Sequence, residues 1–164
     1  MVALEITLIV ATLLCTLVAG LVFGFAVVVM PGIGTLKDRA FLRAFQAVDG
    51  VIQAGQPLFG LVWLGSGAAV LIAMALGVAQ LEGFDRISLL VAGLGYLIGV
   101  QLPTFVVNIP LNDAVQKLDL DSADDGTCRS ARDEFERPWN RWNIVRTVVA
   151  TLVSAALMIL LLRT

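Results

Sequence analysis

The sequence predicts an all-α integral membrane protein: a single domain, residues 1–164, built as an up-down bundle of four transmembrane helices. Of its 164 residues, 59% are hydrophobic and 15% are charged, against roughly 45–50% and about 25% in an ordinary soluble domain. Three uncharged runs, 6–36, 50–81 and 87–112, each exceed the roughly 20 residues that cross a bilayer. A fourth, 147–162, is long enough if its helix begins near Trp142. A soluble enzyme is therefore excluded.

The four spans and the connections between them follow from where these runs end. The first run ends at a proline and glycine cluster at 30–34. It is interpreted as a retained helix because Glu5 and the lack of a basic segment do not fit a cleaved signal peptide. The connection at 82–86 is so short that the second and third spans must be antiparallel neighbours. The spans are expected at residues 6–30, 51–78, 87–109 and 139–162.

Pairs of small residues and the distribution of charge predict how the bundle packs and sits. Gly20 with Gly24, and Gly95 with Gly99, favour close helix packing, and the same faces are compatible with a homo-oligomer. Arg86 and Arg163 lie on one side of the spans, and the other nine of the 11 lysines and arginines lie on the opposite side. Because positive loops stay inside, the polar loops 31–50 and 113–138 are expected to be cytoplasmic. Both termini are then external, in a bacterial plasma membrane.

The residue inventory excludes several kinds of ligand. Histidine is absent, and the two cysteines, Cys15 and Cys128, lie in a span and in a polar loop, so no disulfide and no haem, zinc or copper site is expected. The acidic stretch 119–126 lacks the bidentate glutamate of a calcium loop. A net charge of −2 leaves no basic face for a nucleic acid. The sequence therefore predicts no metal, no cofactor and no nucleic-acid partner.

Polar side chains at helical spacing near the cytoplasmic ends of the spans are the candidate functional residues. Because lipid offers no hydrogen bonds, these groups are expected to face the bundle interior or a wet cavity. Counting about 20 residues per span puts Thr104, Asn108 and Arg146 at similar depth. The sequence thus predicts a polar pocket open toward the cytoplasm. The stripes are Gln46, Asp49, Gln53 and Gln56; Asn108 and Asn112; and Trp139, Asn143 and Arg146.

Two prolines in the third span support this pocket. Pro103 and Pro110 lack an N–H, so a continuous helix would leave the carbonyls of Gly99 and Val106 without their usual donors. Such carbonyls are tolerated where a cavity or a side chain satisfies them.

Structural explanations for the same residues stay open. Amides bond membrane helices together, and Arg146 can reach the headgroups with its long side chain. Trp139 and Trp142 are typical interfacial anchors. Asp49 can pair with Arg43 or with Arg146.

Four segments of the chain resemble the anthrone oxygenase-like family of small four-helix membrane proteins. They are residues 22–32, 45–59, 108–112 and 139–147. The most specific element is the combination of Asn-x-Pro-Leu-Asn at 108–112 with Trp-Asn-x-x-Arg-Thr at 142–147. The resemblance runs over nearly the whole chain. In the branch of the family tied to a reaction, O₂ oxidises anthrones to anthraquinones without metal, haem or flavin.

This resemblance implies a cofactor-independent monooxygenase that acts on an anthrone-like or quinol-like aromatic. Asp49 would be the base, and Asn108 and Arg146 would stabilise the oxyanion, aided by Asn112 or Asn143. The family often has Asn at the position of Asp49, so a base elsewhere stays an alternative. Trp139 or Trp142 would stack on the ligand. The expected substrate-binding residues are Gln46, Gln53, Thr104, Asn112, Trp139, Trp142 and Asn143.

Two other functions remain open at this point. One is a non-enzymatic binder or carrier that holds a lipophilic aromatic or a quinone in the same pocket. The other is an accessory subunit whose small-residue faces dock on another protein of a membrane complex. In every case the lipid bilayer is the surrounding partner, and in the first two a lipophilic aromatic small molecule is the ligand.

Overall fold

A computed structural model describes residues 2–163, and these residues form helices joined by short connections. Four of the five helices are long and apolar enough to cross a membrane. The predicted all-α bundle of four spans is therefore confirmed. The helices in chain order are α1 Val2–Gly34, α2 Asp38–Gln53, α3 Pro57–Gln80, α4 Gly83–Gln116 and α5 Asp125–Leu161.

The four spans form a closed ring in which each helix packs on two neighbours. Helix α1 lies between α3 and α5, and α4 completes the ring between the same two helices. Leu8, Cys15, Val70 and Tyr96 lie in the core of the ring and are almost fully buried. Large apolar side chains cover the outside, as they do on a helix bundle whose solvent is lipid. Examples are Leu13, Leu61, Val91 and Leu152, each more than half exposed.

The glycines that were expected to allow close helix packing differ in what surrounds them. A Cβ added to Gly99 would lie 2.8 Å from Val149 Cγ1, and one added to Gly93 would lie 2.3 Å from Met74 Sδ. A Cβ at Gly20 or Gly24 meets nothing within 4 Å. The pair on α1 therefore does not pack against a neighbouring helix, whereas Gly99 sets the distance between α4 and α5.

Helices α1 and α4 stay continuous through three internal prolines because each proline follows a wide π-helical turn. The turns are Phe25–Val29, Leu97–Gln101 and Thr104–Asn108. The prolines are Pro31, Pro103 and Pro110, each two residues after its turn. A proline ring collides with the carbonyl four residues earlier, and that carbonyl lies inside the π turn in all three cases. Widening the turn moves the carbonyl away from the ring, so the helix continues.

Both regions expected to be polar loops contain helix. Helix α2 begins at Asp38 and buries Phe41, Leu42 and Phe45 against the first turns of α5. Helix α5 begins at Asp125 and runs without interruption through Pro138 into the membrane span. Helix α2 therefore lies across one end of the bundle, hereafter the α2 end, and closes it.

Candidate functional site

A cavity of about 190 Å³ lies beneath α2, where all five helices contribute to its wall. Eight of the ten side chains that the sequence predicts for the site line this cavity. They are Asp49, Gln53, Thr104, Asn108, Asn112, Trp139, Asn143 and Arg146. Side chains from the stripes on α2, α4 and α5 therefore meet at one cavity.

Gln46 and Trp142 do not reach the cavity. The Nε2 of Gln46 donates to the carbonyls of Val115 and Leu118 at 2.8 and 3.0 Å, so this side chain fastens α2 to the end of α4. Trp142 lies on the outward face of α5 and is 36% exposed. The reason is helical phase. Trp142 comes one residue before the inward-facing Asn143 and therefore points about 100° away from it around the helix.

The Asp49 carboxylate is buried and is held by side-chain amides. Its Oδ1 accepts from Nδ2 of Asn112 at 2.7 Å. Its Oδ2 accepts from Nε2 of Gln116 at 2.9 Å and, more weakly, from Nε2 of Gln53 at 3.4 Å. Within the described chain no arginine or lysine forms an ion pair with it, and Arg43 pairs with Asp121 instead. Pairing with Arg43 or Arg146 is therefore not the arrangement found.

Arg146 is 4% exposed and lies inside the bundle, so it does not extend to the headgroups. Its Nη1 donates to Thr104 Oγ1 and its Nη2 donates to Asn143 Oδ1, both at 3.0 Å. The guanidinium carbon lies 5.7 Å from the ring centre of Trp139 and 5.9 Å from that of Trp63, where cation–π attraction is favourable. Among residues 2–163 no carboxylate pairs with it, and its Nε has no hydrogen-bond partner.

The amide side chains of the site are largely engaged with the protein. Asn143 Nδ2 donates to the carbonyl of Val22 at 3.0 Å and so ties α5 to α1. Trp139 Nε1 donates to Asn112 Oδ1 at 2.7 Å, and Asn108 Nδ2 faces the carbonyl of Trp139 at 3.4 Å. These bonds orient the groups around the cavity but leave few amide donors for a ligand.

Aromatic side chains that the sequence did not single out form much of the remaining wall. Phe25 and Phe45 each lie with their ring centres 5.7 Å from that of Trp139. Phe59 stacks on Trp63 with ring centres 5.5 Å apart and an interplanar angle of 17°. Aromatic residues inside an apolar run carry no distinctive signal. The spacing of Phe59 and Trp63, one helical turn apart, was the available clue.

A buried hydrogen-bond network fixes the backbone beside Trp63. Tyr96 donates to Ser66 Oγ at 2.7 Å, and Ser66 Oγ donates to the carbonyl of Trp63 at 2.7 Å. Gln101 Nε2 donates to the same carbonyl at 3.1 Å. This network, which was not predicted from the sequence, joins α3 to α4 directly behind the cavity wall.

Fold and cavity together define a class: a helical membrane-bundle protein with one buried carboxylate and one buried guanidinium in an aromatic-walled cavity. The family model described as Anthrone oxygenase matches residues 49–157, about two thirds of the chain. The protein belongs to the anthrone oxygenase family, which confirms the resemblance seen in its motifs. No curated protein and no solved structure matches the chain significantly. The match begins at Asp49 and contains all cavity-lining residues except Leu21, Val22, Phe25 and Phe45.

Proposed function

We propose that this cavity binds an anthrone-like or quinol-like aromatic and that O₂ oxidises the ligand there without a cofactor. One observation carries the proposal: Asp49 and Arg146 line the same cavity between aromatic rings, yet they do not pair with each other. A base and a cation held apart in a dry site are what proton removal from a weakly acidic C–H needs.

The proposed reaction begins with proton removal, continues with the addition of O₂ and ends with the loss of water. The methylene opposite the anthrone ketone gives a proton to Asp49, and the electron pair moves onto the ketone oxygen as an aromatic oxyanion. The electron-rich ring then reduces O₂, a C–O bond forms at the former methylene carbon, and the proton held by Asp49 passes to the peroxide to give a hydroperoxide. Loss of the second C–H proton with cleavage of the O–O bond gives a second ketone and water. One anthrone and one O₂ thus yield one anthraquinone and one water.

Each charged group has one role in this scheme. Asn112 and Gln116 orient the Asp49 carboxylate toward the cavity, and Gln53 supports it. Thr104 and Asn143 hold the two terminal nitrogens of Arg146, so the guanidinium is fixed in advance where negative charge develops. Trp139 offers a face for the planar ligand.

The size of the cavity favours a compact substrate. Its volume of about 190 Å³ is below the roughly 300–1,000 Å³ of sites for drug-sized ligands. A fused tricyclic aromatic fits this limit better than a quinone with a long isoprenoid tail, and this favours an oxygenase over a quinone carrier. The positive charges near the α2 end favour a cavity at the cytoplasmic side of the membrane.

The test is O₂ uptake and quinone absorbance with an anthrone such as emodin anthrone and the purified protein in detergent. Spontaneous oxidation is the baseline. The protein should accelerate the reaction, and Arg146→Gln should reduce the acceleration by about 10²-fold or more, because one donor to an oxyanion contributes about that much. Arg141→Gln, an exposed position on the same helix, should leave it unchanged. Folded wild-type protein that gives no acceleration would rule the oxygenase out.

A further inference from the structure

Three buried polar atoms that belong to cavity-lining residues have no hydrogen-bond partner among the residues that the structure describes. They are Nε1 of Trp63, Nε of Arg146 and Oδ1 of Asn108. Their residues are 6%, 4% and 2% exposed, respectively. Buried polar groups are nearly always paired, and an unpaired one is destabilising. Three such atoms on one cavity therefore indicate a ligand that satisfies them.

The chemistry of these three atoms restricts the ligand. An indole N–H and a guanidinium N–H only donate, whereas an amide oxygen only accepts. An unprotonated anion such as sulfate or a carboxylate satisfies the two donors but has no proton for Asn108. A ketone oxygen accepts from both donors, and the same oxygen in its enol form has a proton to give to Asn108. The set fits an oxygen that alternates between ketone and hydroxyl.

The three groups are neighbours in the bundle. The guanidinium carbon of Arg146 lies over the ring of Trp63, 5.9 Å from the ring centre, and both residues line the cavity. Asn108 follows Thr104 by one helical turn, and Thr104 Oγ1 already accepts from Arg146 at 3.0 Å. All three groups thus surround the same part of the cavity.

The indole of Trp63 is held in place before any ligand binds. Its ring stacks on Phe59, and its carbonyl accepts from Ser66 and Gln101. A fixed donor needs little reorganisation when charge develops on the ligand, and this makes it effective in catalysis.

The charge of the cavity indicates a neutral ligand. Asp49 and Arg146 are the charged residues on its wall, and their charges balance. An anionic ligand would give the cavity a net negative charge in a low-dielectric site, which is unfavourable.

We infer that Trp63 is a catalytic residue whose indole N–H, together with Nε–H of Arg146, holds the ketone oxygen of a neutral fused-ring aromatic ketone. The same two donors stabilise that oxygen as it gains the electron pair of the broken C–H bond, while Asp49 takes the proton and O₂ is the oxidant. When the ligand is present as its enol tautomer, in which one C–H proton has moved to the oxygen, Asn108 Oδ1 accepts from that O–H. This inference rests on the proposed function and deepens it.

The binding test uses two probes that differ only at the ketone. Anthrone and 9,10-dihydroanthracene are compared under nitrogen, where no oxidation occurs, with the protein in lipid nanodiscs. Wild-type protein should bind anthrone more tightly. Trp63→Phe, which keeps an aromatic ring but lacks the N–H, should lose about tenfold in affinity for anthrone and nothing for dihydroanthracene. Trp142→Phe, outside the cavity, should match wild type with both probes.

A second variant separates the loss of the N–H from a loss of packing. Benzothienylalanine at position 63 keeps the bicyclic shape and replaces the N–H by sulfur, and it should reproduce the effect of the phenylalanine. In air, both Trp63 variants should oxidise anthrone with a kcat lower by about 10²-fold. Arg146 keeps its place in both.

The outcomes distinguish the inference from the proposed function. Trp63 variants that keep the wild-type preference for anthrone overturn the inference, and so does a wild-type protein that binds both probes equally. If wild type oxidises anthrone and the Trp63 variants do so at the same rate, oxygenation stands and the role of Trp63 falls. If the ketone preference depends on Trp63 but no protein accelerates oxidation, the ketone site stands and the oxygenase proposal falls.

Discussion

Among residues 2–163, Asp49 and Arg146 are the two charged residues that are buried. A buried charge is strongly unfavourable unless other groups compensate it. Amide hydrogen bonds compensate Asp49, whereas hydroxyl, amide and aromatic groups compensate Arg146. Because these two charges do not neutralise each other, both remain able to act on a ligand in the cavity.

Replacing Asp49 by Asn tests the base at the scale of one residue. Asp49→Asn keeps the shape but removes the proton acceptor, and quinone formation should fall by about 10²–10⁴-fold, the usual contribution of a general base. Asp133→Asn, an exposed position on α5, is the control and should oxidise anthrone like wild type. The rate is followed by quinone absorbance. Turnover by Asp49→Asn at the wild-type rate would move the base to another residue.

The same substitution has a separate effect on stability. An asparagine at this position presents an NH₂ group to Nδ2 of Asn112 or Nε2 of Gln116, so a charge-assisted hydrogen bond is replaced by two donors that face each other. Loss of such a bond costs about 1.5–3 kcal/mol. Thermal unfolding in detergent should therefore occur at a lower temperature for Asp49→Asn than for Asp133→Asn. Equal unfolding temperatures would mean that water replaces the lost bond.

Single residues show clearly what a sequence can and cannot reveal about this site. Polar side chains such as Asn108 and Arg146 stand out within apolar runs, and helical spacing assigns them to shared faces. Trp63 and Phe59 lie in an equally apolar run, where an aromatic residue looks the same whether it faces lipid, a core or a cavity. Only the position of α3 in the ring distinguishes these cases, and that position depends on contacts distant in sequence.

At the scale of the helix, Gly99 sets how closely α4 approaches α5. Gly99→Ala would bring a methyl group to 2.8 Å from Val149 Cγ1, and a β-branched valine in a helix has little freedom to move away. Such overpacking costs about 1–3 kcal/mol. The unfolding temperature in detergent should fall for Gly99→Ala and stay unchanged or rise slightly for Gly20→Ala, where nothing lies within 4 Å. Equal stability of both variants would contradict this packing.

Helix α5 begins with a pH-dependent cap outside the membrane span. Asp124 accepts from the backbone N–H of Thr127 at 2.6 Å, and this bond, as the largest cause, lowers the pKa of Asp124 from 3.8. Because the folded pKa is depressed, the stabilisation is present above the unfolded pKa and is lost as pH falls through the folded value. The Thr127 amide should therefore exchange faster below about pH 4. Asp124→Asn should keep the cap and remove this dependence on pH.

The helices themselves are predictable to different degrees. Gaps between charged residues locate the four spans because a charge inside lipid is unfavourable. The π turns before Pro103 and Pro110 are not visible in such a pattern, since the sequence allows either a broken helix or a widened one. Helix α2 was predicted only in part: helical spacing put Gln46, Asp49 and Gln53 on one face, but the charged residues at 37–43 made the segment look like a polar loop.

Across the whole molecule, polar interactions concentrate at the α2 end. Arg39 donates to the carbonyls of Leu120 and Ala123, and Arg132 donates to those of Gly34 and Leu36. Arginine side chains thus bind the backbone where α1 leads into α2 and the backbone of the connection between α4 and α5. The opposite end has the short connection between α3 and α4 and an ion pair of Arg163 with Asp85 at 2.7 Å. Such asymmetry keeps the cavity covered while the rest of the bundle is immersed in lipid.

The asymmetry also predicts how the protein sits in the membrane. Nine of the 11 lysines and arginines lie toward the α2 end, so that end should face the cytoplasm. Ser130→Cys and Glu82→Cys introduce thiols at exposed positions on opposite ends, while the native Cys15 and Cys128 are buried and should react little. In intact cells a membrane-impermeant maleimide should label Glu82→Cys at once and Ser130→Cys only after permeabilisation. The reverse pattern would place the cavity on the external side, where substrate made inside the cell would have to cross the bilayer first.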